Sequence, residues 1–261
     1  MDTSSKNEIS NHLENRNEIQ NEVKVQHQKF SAVIIAGGLN SRMGGNNKAF
    51  LKIGGKTILS RLLNTLEKYF DEILLVTKNP SEYSSYIDKR DRSIDSIEEN
   101  PKPDSDIVIP YVEGNYKSNS STLKTVTDLY SDRSSLTGIH SGLYHAKNYF
   151  SFVVPCDAPF IQPSLIRLLL DSIEPDSDIV IPYYDQHYEP LCAVYSKRCI
   201  TRIESLLNSG DYRIYNFFHS VNIKKLGKDK LEAADPQMIS FFNVNTPQAL
   251  EAAIKAADKI H

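Results

Sequence analysis

The chain has 261 residues, with 30 Lys plus Arg against 33 Asp plus Glu, a formal net charge of −3 and 40% hydrophobic residues. That length and apolar content suit one α/β domain with a sizeable core, and the slight negative charge argues against nucleic acid as the main partner. Three cysteines (Cys156, Cys192 and Cys199) with no CxxC pair argue against a disulfide framework or a zinc knuckle and for a reducing cytoplasm, and no apolar run approaches the roughly 18 residues of a membrane helix.

In chain order, residues 1–28 are polar and charged, which predicts a disordered polar tail without the apolar stretch of a signal peptide. The folded domain is expected over 29–261. FSAVIIAGG (Phe30–Gly38) reads as a buried strand running into a loop. Next, Ile58, Leu59, Leu62, Leu63, Leu66 and Phe70 share one helical face, and EILLVTK (Glu72–Lys78) is a second short apolar strand. Strand, loop, helix and strand make the unit of a mostly parallel sheet.

Residues 81–122 break this rhythm. They are rich in Ser, Asp and Asn and read as a polar insertion. Within them PDSDIVIPY (Pro103–Tyr111) recurs identically at Pro175–Tyr183. The second copy is expected to be the structural strand, and the first an extra edge strand or a mobile flap. SFVVPCDAPF (Ser151–Phe160) is another strand, broken at Pro155, with Asp157 just past its end. A helix opened by Pro163, strands DIVIPY and LCAVYS, a helix closed by Gly210, the strand VNIKKL and a last helix with Thr246 as N-cap and Pro247 in its first turn complete the chain. The pattern predicts a three-layer, Rossmann-like α/β sandwich with a mostly parallel sheet in a single domain.

The stretch from Val33 to Phe50 carries the chemistry. Gly37 and Gly38 let backbone N–H groups approach a phosphate, Arg42 can grip phosphate oxygens in a fork, Gly44 and Gly45 permit a second tight turn, and Lys48 adds a cation. Two cations and several bare amides suit a triphosphate. GxxxxGK[ST] is absent because Ala49 follows Lys48, and the adjacent glycines do not make GxGxxG. Asp157, at the carboxyl end of a strand, suits Mg²⁺, which takes one or two carboxylates plus phosphates and water. The plainer readings are a charged strand–turn–helix junction for the loop and a turn residue for Asp157.

VIIAGGLNSRMGGNNK resembles the LAGGxSxRMGxDK signature of nucleotidyltransferases, most of all the molybdenum cofactor guanylyltransferase family. The likeness continues in LTGIHSGL, VVPCDAPFI, EPLCAVYSK and FFNVNTPQAL. It implies transfer of GMP from GTP to molybdenum-bearing molybdopterin, with pyrophosphate released and Mg²⁺ as cofactor. Arg42, Lys48 and Asp157 are then the catalytic residues, with Asp157 on the metal. Ile35, Ala36, Gly37, Gly38, Thr77, Asn79 and Asp128 join Lys48 and Asp157 around the nucleotide, Asp132 being the neighbour that competes with Asp128 for its role. Glu189, Pro190 and Arg213 fall on the pterin side, and Asn243 and Asn245 near the pterin or the active-site floor. Molybdoenzymes or their chaperones are the implied protein partners.

A cytidylyltransferase on the same cofactor, a transferase on another small phosphate, and a non-catalytic nucleotide-binding relative are the alternatives. The departures from the pattern are Asn47, where the signature has Asp, and Ser134-Ser135, where it has Gly-Pro. His140 and His145 are expected on a helix surface. Cys156 is expected as a small buried side chain and not a reactive thiol.

Overall fold

The computed structural model describes residues 29–36, 47–84, 86, 122–132 and 134–257. The predicted tail 1–28, the glycine loop with Gly37, Gly38 and Arg42, and the first PDSDIVIPY copy lie outside the described residues.

Strand β1 (Ser31–Ile35) is followed, past the glycine loop, by a 3-10 turn over Lys48–Phe50. A small hairpin, β2 (Lys52–Ile53) and β3 (Lys56–Thr57), leads into α1 (Ile58–Leu66). The Thr57 hydroxyl caps α1 by accepting the Ser60 N–H at 3.1 Å. The apolar face read from the sequence is the buried face: Ile58, Leu59, Leu62, Leu63 and Leu66. Then come β4 (Glu72–Val76), β5 (Thr122–Val126), α2 (Ser135–His145), β6 (Phe150–Pro155) and α3 (Pro163–Asp171). The chain continues through β7 (Ile179–Tyr184), β8 (His187–Tyr188), β9 (Ala193–Ser196), α4 (Cys199–Asn208), β10 (Ile223–Leu226), α5 (Lys228–Ala234) and α6 (Pro247–Ala257). The second PDSDIVIPY copy supplies β7, as its place in the alternation predicts.

The central sheet runs β10-β7-β9-β6-β1-β4-β5, with β8 paired to β7. β6, β1, β4 and β5 are mutually parallel, as are β7 and β10. β9 is reversed against both β6 and β7. The chain pattern did not show that reversal, nor β8. Its cause is local: Asp185 and Gln186 both have positive φ (47° and 65°), the geometry of a two-residue hairpin turn. The chain therefore returns with no crossover helix, and a strand reached that way runs antiparallel.

Alternate β1 side chains feed the two sides of the sheet. Ile34 packs into the cluster with Leu59, Leu62, Leu165 and Leu169, under α1 and α3. Val33 packs into the cluster with Leu136, Ile139 and Ile203, under α2 and α4. This is the three-layer sandwich. α2 approaches β1 through its glycine face: a Cβ on Gly138 would meet Ile35 Cγ2 at 3.0 Å, and one on Gly142 would meet Val33 Cγ1 at 2.2 Å.

Two sequence expectations change here. His140 is buried, because α2 is covered by β1 on one side and α4 on the other; its Nε2 lies 3.0 Å from Glu204 Oε1. His145 is exposed, as expected. The edges of the polar stretch 81–122 also belong to the fold. Residues 81–84 are helical, Tyr83 is buried against Phe50 with ring centroids 5.3 Å apart, and Thr122 opens β5 opposite Glu72. Ser134, in place of the signature's Gly-Pro, caps α2 by accepting the Thr137 N–H at 3.0 Å.

The register positions the site. Ile35 lies beside Val76 on one side and Pro155 on the other, and Val76 lies beside Val126. The residues that follow, 36, 77, 127–128 and 156–157, thus emerge along one carboxyl edge of the sheet, where open α/β folds bind ligands.

Candidate active site

Lys48 and Asp157 come from elements 109 positions apart and meet at this edge, Nζ to Oδ2 at 3.5 Å. Lys48 makes a shorter bond to Asn245 Oδ1, at 2.6 Å. The two charged side chains are 14% and 15% exposed, so the pair is open to solvent on one side only. Burial raises the Asp157 carboxyl above its usual range, and the neighbouring Lys48 ammonium pulls it partly back. A buried carboxylate only partly neutralised by a loosely placed lysine is a site that gains from a further cation.

Asp157 is held from both directions. The Cys156 N–H donates to the Ile35 carbonyl at 3.0 Å, which ties the segment to β1. The Asp157 carbonyl accepts the Val244 N–H at 2.9 Å, which draws in the segment with Asn243 and Asn245. That segment is closed by the cap read from sequence: the Thr246 hydroxyl accepts the Ala249 N–H at 3.1 Å at the start of α6. Burial, followed by the Asp157 charge, pushes the Cys156 thiol up to about 12. It stays protonated at neutral pH and is no nucleophile there.

The other sequence-named residues of the nucleotide side are each held by partners of their own. Ile35 and Ala36 end β1, but the Ala36 N–H already donates to the Val76 carbonyl at 2.8 Å. A backbone contact from Ala36 to a base therefore runs through its carbonyl. Thr77 is buried, and its hydroxyl closes a turn by accepting the Asn79 N–H at 3.2 Å. Asn79 is exposed and donates to Glu82 Oε1 at 2.8 Å. Asp128 sits two residues beyond β5, and the next residue's N–H is bonded to Ser141 Oγ of α2 at 2.9 Å. Asp132 lies farther along the same loop, near enough to the exposed Tyr212 hydroxyl to raise its pKa.

The residues assigned to the second substrate are not one cluster. Glu189 accepts the Tyr184 hydroxyl at 2.8 Å, and the Pro190 carbonyl accepts the Tyr195 hydroxyl at 2.7 Å. The Tyr184 ring packs on Phe241 at 5.3 Å, which links Glu189 to the segment leading to Asn243 and Asn245. Arg213 is exposed and forked onto Asp211, with both bonds at 3.1 Å. Asn245 contacts Lys48 directly, a pairing that the sequence does not name. Tyr184 and the residues bonded to Asn47 were missed, because nothing in their spacing marks them.

Residues 32–223 match the MobA-like NTP transferase domain. The molybdenum cofactor guanylyltransferase of Desulfosudis oleivorans is 32% identical over 87% of this chain and 96% of its own length. A probable molybdenum cofactor guanylyltransferase of Natranaerobius thermophilus is 32% identical over 88% of this chain and 97% of its own length. The crystal structure of molybdopterin-guanine dinucleotide biosynthesis protein A from Archaeoglobus fulgidus superposes with a TM-score of 0.64 at 23% identity, covering 89% of this chain and all of that one. With a matched domain spanning most of its length, relatives at this identity and a nucleotidyltransferase sandwich, the chain belongs to the MobA-like NTP transferase family.

Proposed function

We propose that the protein transfers GMP from GTP to molybdenum-bearing molybdopterin. The carrying observation is the convergence of Lys48, Asp157 and Asn245 at the carboxyl edge. The names of the relatives support the choice of guanine and pterin. A terminal phosphate oxygen of molybdopterin attacks the α-phosphorus of GTP. A new P–O bond forms as the bond to the bridging α–β oxygen breaks, and pyrophosphate leaves with that electron pair.

Such a displacement needs in-line positioning and charge neutralisation, with no covalent nucleophile on the protein. Lys48 binds the phosphates, Arg42 with Gly37 and Gly38 cradles them, and Asn245 orients the lysine. Mg²⁺ fits the donor set. Among the described residues no cluster of three or more acidic, His or Cys side chains could hold a metal alone. One buried carboxylate, Asp157, completed by substrate phosphates and water is the arrangement Mg²⁺ commonly takes. When bound, the ion neutralises charge that develops on the phosphate oxygens. Asp128 faces the nucleotide, and Glu189, Pro190, Arg213 and Asn243 belong to the pterin side. Cytoplasmic location and delivery to molybdoenzymes or their chaperones complete the proposal. Among the described residues no helix is long and apolar enough to cross a membrane.

The direct test is pyrophosphate release from GTP and from CTP, with Mg²⁺, with and without molybdopterin. Release from GTP that requires the pterin establishes the reading. Release from CTP alone keeps the chemistry and changes the base; GTP binding without release makes the protein a non-catalytic relative. Lys48→Ala is expected to weaken GTP binding by roughly 10- to 100-fold, the worth of a charge-assisted contact to phosphate in a partly buried site. Unchanged affinity by calorimetry would remove Lys48 from the phosphate site.

A further inference from the structure

Asn47 stands immediately before Lys48, and every polar atom of its side chain is engaged. Its Oδ1 accepts the Ala49 N–H at 3.1 Å and so caps the turn that carries Lys48. Its Nδ2 donates to Glu82 Oε2 and to the Tyr83 hydroxyl, both at 2.9 Å. The two ends of the amide are thereby fixed independently. Only nitrogen can donate to a carboxylate, and only oxygen can accept a backbone N–H. Tyr83 is a rigid post, since its ring is buried against Phe50. Glu82 uses its other oxygen to accept from Asn79 Nδ2 at 2.8 Å. The carboxylate therefore sits between two donating amides.

At the level of sequence Asn47 either loses a charge and loosens Lys48 or leaves a neutral hydrogen bond. The structure has the hydrogen bonds, and the acid is carried on Glu82 at the end of one of them. We propose that Asn47 is the positioning residue of the phosphate-binding lysine, and that Asn47 and Glu82 form a donor–acceptor pair in which an acid at one position requires an amide at the other. Through the cap on Ala49, this pair sets the turn Lys48–Phe50 and hence the aim of Lys48 at Asp157 and Asn245. The inference rests on Lys48 being a phosphate ligand, as proposed above.

Opposite predictions follow for Asn47→Asp. If the signature's acid is simply missing, that substitution improves the site. If Asn47 is paired with Glu82, it places two carboxylates within hydrogen-bonding distance, neither able to donate to the other, and their repulsion pushes the carboxylate that caps Ala49 out of place. The charged and titratable groups facing position 47 are Lys48 on its own turn and Glu82 and Tyr83 on the facing segment, with Cys156 beyond Tyr83. In the double variant, which combines Asn47→Asp with Glu82→Gln, the amide introduced at position 82 donates to the carboxylate introduced at position 47. The oxygen of that amide still accepts from Asn79. Every partner is then restored with the polarity swapped.

The test uses the full chain and inorganic tripolyphosphate with Mg²⁺ as the probe, so that neither the base nor turnover enters. Affinity is measured by calorimetry at about pH 8 and about pH 5.5, beside the melting temperature of each variant. Asn47→Asp is expected to weaken binding about tenfold at the higher pH, and less at the lower, where the two carboxyls can share a proton. The double variant should bind within about threefold of the parent. Binding by Asn47→Asp as tight as the parent's, or a double variant no better than Asn47→Asp, overturns the pairing. Should Asn47→Asp fail to fold, the double variant decides alone: parent-like folding and binding support the pairing, and failure of both overturns it. If the parent itself does not bind the probe, Lys48 is not a phosphate ligand, and both this inference and the proposed function fall. If all variants bind alike, only this inference falls.

Discussion

Asp157→Asn should cut GTP turnover by on the order of 10³-fold while leaving the fold in place, the scale seen when one electrostatic group that meets developing charge is removed. The substitution keeps the side chain's shape and the backbone bond from Val244 to the Asp157 carbonyl. Lys48 keeps its contact with Asn245, so the lysine is not released. What disappears is the carboxylate charge that the proposed function gives to the metal ion. A variant with full turnover would end the metal assignment.

The same substitution has a second, independent signature. Burial holds the Asp157 carboxyl above its unfolded value, so the folded protein binds that proton more tightly than the unfolded chain does. The ionised carboxylate therefore costs stability at neutral pH, and the cost fades as pH falls from the raised value toward about 4. Asp157→Asn is thus expected to melt at or above the parent temperature near neutral pH, with the difference shrinking in acid. A drop of several degrees instead would mark Asp157 as structural.

Gly142→Ala should lower the melting temperature by about 10 °C, corresponding to about 3 kcal/mol of overpacking. Helix propensity alone predicts the opposite sign, since Ala is better than Gly in a helix interior by about 1 kcal/mol. Packing wins here because the new Cβ would sit 2.2 Å from Val33 Cγ1 and 3.2 Å from Val33 Cβ. Val33 is a fully buried, β-branched residue of the central strand, stiff about χ1. The helix must back away from β1, and Ser141, which holds the loop of Asp128, moves with it. Adding Val33→Ala should recover part of the loss by opening the space. A melting temperature within about 2 °C of the parent for Gly142→Ala alone would show that α2 can shift at little cost.

Much of this molecule is legible in local sequence. Apolar runs and helical periodicity mark the strands and helices. Gly210, with φ of +73°, closes α4 where it was read to, and Thr246 caps α6. Asp157 was visible because a strand ending in Pro155 must put the next polar residues at the sheet's edge. These features depend on backbone preferences within a few residues, and sequence carries them directly.

Other features rest on partners brought from far along the chain. Lys48 meets Asn245 across 197 positions, and no local pattern pairs them. His140 looked like a surface residue because its own helix could not reveal that α4 covers it. The reversal of β9 hung on two non-glycine residues adopting positive φ, a choice that composition does not advertise. Whether Asn47 loses a charge or leaves a neutral hydrogen bond stayed open in the sequence because Glu82, its partner, is its neighbour only in space. The sequence by itself determined the order of most elements and their buried faces. The tertiary structure alone decided which lysine, carboxylate and amides share one edge of the sheet, because hydrogen bonds and burial are properties of assembled neighbours and not of the residues taken singly.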